Sequence, residues 1–269
     1  MKVLVLLCYS WHMVIKSEVL LQDRYQLSVV ESKSPSHIIT EDIWFCSEVE
    51  DCVRLGIIDG VTSTPRTPWL GRAKGGRAAA ILAADSLLAS PLRASAAMLD
   101  QVNQGVLSLR DGEEKYTRDH PQAAWGFVEV CGSQVSAWVG ADIEVWVKTP
   151  YSWLRLCDHD MVSPDFRTPL LKLQQKVELK QNNFAAWIDQ EAELLDSEAA
   201  WVSTSFGRFE TLKFVSEDYT GDWDQIVVAS DGACLSSKAM LELDNHIPSV
   251  IARYSRDDLS IMTMRHLPL

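Results

Sequence analysis

Several acids in this chain stand where an extended apolar run begins or ends. Asp59 closes the run Val-Arg-Leu-Gly-Ile-Ile and is followed by Gly60, and Asp231 closes Gln-Ile-Val-Val-Ala-Ser in the same way. Glu41 and Asp42 directly precede Ile-Trp-Phe-Cys, Asp142 sits between Ala-Trp-Val-Gly-Ala and Ile-Glu-Val-Trp-Val, and Asp257 and Asp258 precede Leu-Ser-Ile-Met-Thr-Met. Carboxylates at the ends of strands project from a rigid scaffold, as a site for a hard cation requires. Mg²⁺ and Mn²⁺ take oxygen ligands from a few carboxylates and fill the remaining positions with water. A glycine after the acid permits a tight turn and leaves its carbonyl accessible. Any one Asp-Gly pair alone is an ordinary turn signal; the joint arrangement carries the chemistry.

These acids need elements to hold them. Period-two alternation places strands at residues 26–31, 43–49 and 53–58, then at 124–131, 134–140, 143–148 and 152–157, and later at 210–216 and 225–230, with a closing strand Leu-Ser-Ile-Met-Thr-Met-Arg-His. Gly132-Ser133 marks a two-residue hairpin turn. The Ala- and Leu-rich segment 76–88 favours helix. A second helix beginning at Pro91 would align Leu92, Ala96, Leu99, Val102, Val106 and Leu109 in one apolar stripe. The stretch of about 165–200 is polar and helical, and a further helix falls at 236–254. Blocks of strands followed by helices predict an α+β architecture with mostly antiparallel sheets. No Gly-, Ser- or Pro-rich linker divides the chain, so residues 1–269 are read as a single domain with residues 1–25 as an N-terminal extension.

The order of motifs resembles the metal-dependent protein phosphatase (PPM) family, the type 2C serine/threonine phosphatases. The matching segments are Thr-Glu-Asp-Ile (40–43), Ile-Ile-Asp-Gly (57–60), the helix start Gly-Gly-Arg-Ala, Val-Gly-Ala-Asp (139–142), Val-Val-Ala-Ser-Asp-Gly (227–232) and Asp-Asp-Leu-Ser-Ile-Met-Thr-Met (257–264). They cover roughly residues 26–266. The resemblance implies a four-layer α-β-β-α sandwich of two mostly antiparallel sheets flanked by helices, with two Mn²⁺ or Mg²⁺ ions at one end. It implies that Asp59 bridges both ions and that the Gly60 carbonyl completes the first site. Asp231 and Asp257 would hold the second ion, Asp42 would reach it through water, and Asp142 with Asp231 would frame a third. The implied activity is hydrolysis of phosphoserine or phosphothreonine in a protein substrate by a hydroxide bridging the two ions. Residues of about 165–200 would form the variable flap that selects substrates.

Departures from the family pattern are specific. His37 stands where the family often carries a phosphate-gripping Arg, and is assigned phosphate contact in its place; Arg66 and Arg72 are the other cations available for that role. Val61 replaces the His that follows Asp-Gly in eukaryotic members, and Ala141 replaces the Gly before the third-site Asp. These departures keep open a pseudophosphatase that binds a partner without turnover. A phosphatase of a small phosphorylated metabolite would use the same acids.

Composition narrows the classes. The chain has 269 residues, 37 Asp and Glu against 25 Lys and Arg, and a net charge of −12, which argues against a partner that is nucleic acid or an anionic membrane. The six cysteines include no CxxC pair. A chain this long does not need disulfides, and Cys46 and Cys131 stand in apolar runs where a free thiol packs as a small hydrophobe. The expectation is therefore a reduced, cytoplasmic protein. The ten Trp residues fall mostly in strands, as core rather than as a stacking platform.

Overall fold

The computed structural model describes residues 15–21, 24–32, 40–61, 69–70, 73–110, 119–157, 162–178, 190, 193–231 and 258–267. Two antiparallel sheets lie face to face. One has six strands: β1 (Ile15–Leu21) and β2 (Tyr25–Ser32), together with β9 (Glu144–Lys148), β10 (Trp153–Cys157), β12 (Gln225–Ala229) and β13 (Leu259–His266), in the order β1-β2-β13-β12-β9-β10. The other has five: β3 (Ile43–Val49), β4 (Cys52–Gly60), β7 (Ala123–Cys131), β8 (Gln134–Gly140) and β11 (Val215–Thr220), in the order β11-β8-β7-β4-β3. A two-stranded ribbon of β5 (Trp69–Leu70) and β6 (Ala73–Lys74) precedes the first helix.

Alternation along the strands decides which side chains meet between the sheets. Val53, Leu55 and Ile57 of β4, Val128 and Val130 of β7, and Leu27, Val29, Ile226, Val228, Met262 and Met264 from the six-stranded sheet form one buried core. The opposite face of the five-stranded sheet, with Phe45, Ile58, Trp125 and Phe127, packs against α1 (Gly75–Ala89) and α2 (Ala96–Leu107) through Ala79, Ala80, Ala83, Leu87, Leu99 and Val102. Small alanines on α1 let the helix lie close to the aromatic face. Underneath, Arg54 and Glu129 form a buried ion pair at 2.7 Å. The Arg54 guanidinium also donates to the carbonyls of Leu87, Ser90 and Leu92, so it holds the end of α1 and the link to α2 onto the sheet.

Most strand expectations hold to within a residue or two, and the Gly132 turn is present with Gly132 at φ 61°. Four readings are corrected. The second helix starts at Ala96 rather than near Pro91, because the Ser95 hydroxyl caps it by accepting from the Met98 N–H (3.3 Å), and Leu92 lies exposed outside it. The strand expected at 210–216 runs instead from Val215 to Thr220, where it pairs with β8. Part of the N-terminal extension, Ile15–Leu21, is the edge strand paired with β2. Finally, Cys52 and Cys131 are joined in a disulfide. Val53 pairs with Val130 across β4 and β7, so the two cysteines face each other one position further along; sequence alone does not give that register. Cys46 and Cys157 are free thiols.

Residues Pro164–Glu178 form a third helix, α3, and Phe166 and Leu170 on it pack on a separate small core of Val162, Leu195, Ala200, Trp201 and Phe209. The helix expected at 236–254 lies outside the described residues. No helix among the described residues is long and apolar enough to cross a membrane.

Candidate functional site

The core parity of each strand continues to its end, and there the apolar residues give way to polar ones. Leu55 and Ile57 face the inter-sheet core, so two residues on Asp59 faces the same way. By the same count Asp42 follows from Trp44, Glu31 from Val29, Ser230 from Val228, and Ser260 and Asp258 from Met262. Antiparallel register brings these termini to one end of the sandwich: Ile43 lies opposite Ile58, Glu31 opposite Ser260, Ile261 opposite Ala229, and Ala229 opposite Glu144. The apolar filling stops, and a polar, strongly acidic floor replaces it.

Asp42 is almost fully buried, with 1% of its surface exposed. Its Oδ2 accepts from the Ser230 hydroxyl at 3.0 Å, a bond that crosses from one sheet to the other. Its Oδ1 is buried without a hydrogen-bond partner among the described residues. The backbone around it is pinned: Asp42 N–H donates to Thr40 Oγ1 (3.1 Å), and Glu41 N–H donates to Asp258 Oδ2 (2.6 Å). Gly60 N–H donates to the Glu41 carbonyl (3.3 Å), which ties the end of β4 to the same turn. Gly60 also packs directly on Gly76 of α1, where a Cβ would come within 2.7 Å of the Gly76 carbonyl carbon. Only glycine permits that approach.

The electrostatics show that these acids are neighbours. Burial raises the Asp59 carboxyl well above its ordinary range, and the charges of Asp42, Asp231 and Asp142 raise it further. Burial also pushes Asp42 up to about 6, opposed by hydrogen bonding and reinforced by the charge of Asp258. Glu31 is pushed up to about 7, first by burial and then by Asp42. Arg77 on α1 is the nearby counter-charge: it acts on Glu31, and its Nη1 donates to the Thr40 carbonyl.

The structure thus brings together Asp42, Asp59, Asp142 and Asp231, with Gly60 beside them. Asp257 and His37, like Arg66 and Arg72, lie outside the described residues. Ala141 takes the left-handed backbone conformation (φ 66°) that glycine favours, and its N–H donates to Ser203 Oγ (3.2 Å), so the turn presenting Asp142 is kept. Glu31, Ser230 and Arg77 were not singled out from the sequence. Strand parity was the available signal for the first two, since both continue a buried alternation. Among the described residues no three acidic, His or Cys side chains converge as a ready-made metal centre. The donor chemistry nevertheless fits a hard divalent cation: all oxygens, several buried, one of them without a hydrogen-bond partner at bonding geometry, and with Asp42, Asp231 and Asp142 all raising the pKa of Asp59.

No family model and no curated protein matches the sequence. Solved structures do match in shape. RsbX in complex with magnesium superposes with a TM-score of 0.58 at 10% identity, over 95% of this chain and 100% of that one. PppA, described as a key regulatory component of T6SS in Pseudomonas aeruginosa, gives 0.59 at 15% identity, over 90% and 98%. The S. agalactiae serine/threonine phosphatase gives 0.60 at 12% identity, over 90% and 99%. The chain has the type 2C phosphatase fold. In that fold the acidic floor lies at one end of the sandwich, where β3 begins and β4 and β12 end. At identities this low the likeness speaks for the architecture, and the acids must speak for the chemistry.

Proposed function

We propose that this protein is a divalent-metal-dependent phosphatase of phosphoserine or phosphothreonine in a protein substrate. The observation that carries the reading is that Asp42, Asp142 and Asp231 all lie near enough to Asp59 for their charges to act on it, at one end of a type 2C sandwich. Asp59, Asp231 and Asp257, with the Gly60 carbonyl and Asp42, would hold two Mn²⁺ or Mg²⁺ ions, and Asp142 would contribute to a third. Such cations, when bound, supply Lewis-acid stabilisation of charge on a phosphoryl group and lower the pKa of water. The protein's part is to hold the acids fixed and close together. The Glu41–Asp42 turn is held by Asp258 and Ser230, and the end of β4 by Gly60 against α1. In the net reaction the oxygen of water forms the new P–O bond, and the serine or threonine alcohol leaves with a proton. An acidic floor repels a phosphate dianion, so substrate also needs cationic contacts; His37, with Arg66 and Arg72, is proposed to provide them. The magnesium in RsbX and the regulatory role named for PppA support a metal-using regulatory phosphatase over a metabolic one.

The test is turnover of p-nitrophenyl phosphate and of a phosphothreonine peptide with and without Mn²⁺. Activity should require the metal, and Asp59→Asn and Asp231→Asn should each lose at least about a hundredfold, as loss of a main electrostatic contributor does. Metal-independent turnover, or full activity in both variants, overturns the reading. Mn²⁺ binding without turnover of either substrate would favour the partner-binding alternative.

A further inference from the structure

Ser230 immediately precedes Asp231 but does a separate job. Its hydroxyl is completely committed within a buried relay. The Ser260 N–H at the start of β13 donates to Ser230 Oγ at 2.9 Å, which fills a lone pair, and the Ser230 O–H donates to Asp42 Oδ2 at 3.0 Å. The Ser230 N–H in turn donates to the Ser260 carbonyl at 3.0 Å, so the serine backbone is fixed by the same partner. Ser230 and Ser260 are 1% and 0% exposed, which leaves water little access to replace either bond. A hydroxyl has one proton to give, and here the relay directs it at one oxygen of Asp42. The other oxygen, Oδ1, is buried with no hydrogen-bond partner at bonding geometry among the described residues, on a carboxylate that Asp59 and the Ser260 hydroxyl both approach closely.

We infer that Ser230 is a positioning residue for the metal site, selecting which oxygen of Asp42 is offered to the cation cluster. The inference rests on the metal-dependent reading above and deepens it. The sequence Ser230-Asp231 then serves the site twice: one residue orients an acid on the opposite sheet, and the next contributes its own. With alanine at 230, Asp42 Oδ2 would lose the hydroxyl that donates to it and the Ser260 N–H would lose its acceptor, both in a buried setting. Partners of this outer kind typically change metal affinity by 10- to 100-fold.

The experiment is calorimetric titration of the full chain with Mn²⁺, comparing wild type, Ser230→Ala and Ser230→Thr, with circular dichroism on each. Ser230→Ala should keep the fold and weaken Mn²⁺ binding about tenfold or more. Ser230→Thr, which keeps the hydroxyl, should stay within about threefold of wild type. Should the alanine variant not fold, Ser230→Cys, with similar bulk and a weak donor, makes the same comparison against threonine. Unchanged Mn²⁺ affinity in the alanine (or cysteine) variant overturns the inference while leaving the metal reading intact. So does a threonine variant as weak as alanine, because bulk rather than the hydroxyl would then matter. A wild-type chain that binds no Mn²⁺ overturns the metal reading itself, and this inference with it.

Discussion

Ala141 shows how one residue can depart from a family pattern and still keep its conformation. A left-handed backbone costs an L-residue with a Cβ roughly 1–2 kcal/mol, and Ala141 adopts it at φ 66° while 3% exposed. It is held there by Ser203 Oγ on one side and by Ile143 re-entering the core on the other. The conformation constrains what can replace it. Ala141→Gly gains the backbone freedom but loses a buried methyl, so the two terms should nearly cancel, within about 1 kcal/mol. Ala141→Val adds a β-branched side chain in a region it rarely adopts and in a packed site, and should destabilise by about 2–4 kcal/mol. Urea denaturation of both variants checks this; a valine variant as stable as wild type would show that the turn is not strained. The acids themselves were legible in the sequence because each borders an apolar run. Glu31 and Ser230 obey the same parity but have no tell-tale neighbour. Glu31 is followed by Ser rather than Gly, and Ser230 is a residue type that turns use everywhere.

At the scale of elements, the site depends on α1 lying against the end of β4, and a buried ion pair far from the acids helps to keep it there. Glu129 accepts from Arg54 Nε (2.9 Å) and Nη2 (2.7 Å), from the Ala94 N–H (2.9 Å) and from Arg93 Nε (3.3 Å). Arg54, fully buried, spends its remaining donors on the carbonyls that end α1. Removing one partner leaves a guanidinium buried without its counter-charge, which typically costs 3–5 kcal/mol. Glu129→Ala should therefore lower stability by about that amount and leave the Mn²⁺ affinity of the folded fraction unchanged. Equilibrium unfolding together with calorimetry at a temperature where the variant is folded separates the two effects. Strands were legible because β3, β4, β7, β8, β12 and β13 are short apolar runs, buried almost throughout and bounded by turn residues. The sequence leaves the start of α2 ambiguous because Pro91 and Ser95 are both acceptable helix-start residues, and only the Ser95 cap geometry decides between them. The shift of β11 has a similar origin. Its Val-Ser-Glu-Asp-Tyr-Thr sequence is mostly exposed at a sheet edge, so it carries little apolar pattern to read. The Cys52–Cys131 bond depends on a register between strands far apart in sequence, with a separation of 79 residues.

For the whole molecule, the acidic floor makes stability depend on pH and on divalent cations together. Burial raises Glu31 to about 7 and Asp42 to about 6, and raises Asp59 well above its ordinary range. In each case the folded state holds its proton at a pH where the unfolded chain has released it. Between the unfolded values near 4 and the folded values near 6–7, the folded state therefore binds more protons, and stability falls as pH rises. These groups stabilise fully below about pH 4, and their contribution is gone once pH passes the folded values. The Glu31 shift alone corresponds to a loss on the order of 3 kcal/mol across that window. Cations that bind the ionised carboxylates should reverse the sign, because metal binding competes with the proton and strengthens as pH rises. The expected result is a melting temperature that falls from pH 5 to pH 7.5 in chelator, and that rises over the same range in excess Mn²⁺. Two melting curves that run parallel across the range would mean that the buried acids do not share a cation site. A net charge of −12 distributed only over solvated surface would produce such parallel curves, since exposed carboxylates near their ordinary pKa hardly titrate above pH 5. The crossing of the curves thus measures how much of the chain's acidity is concentrated at the end of the sandwich.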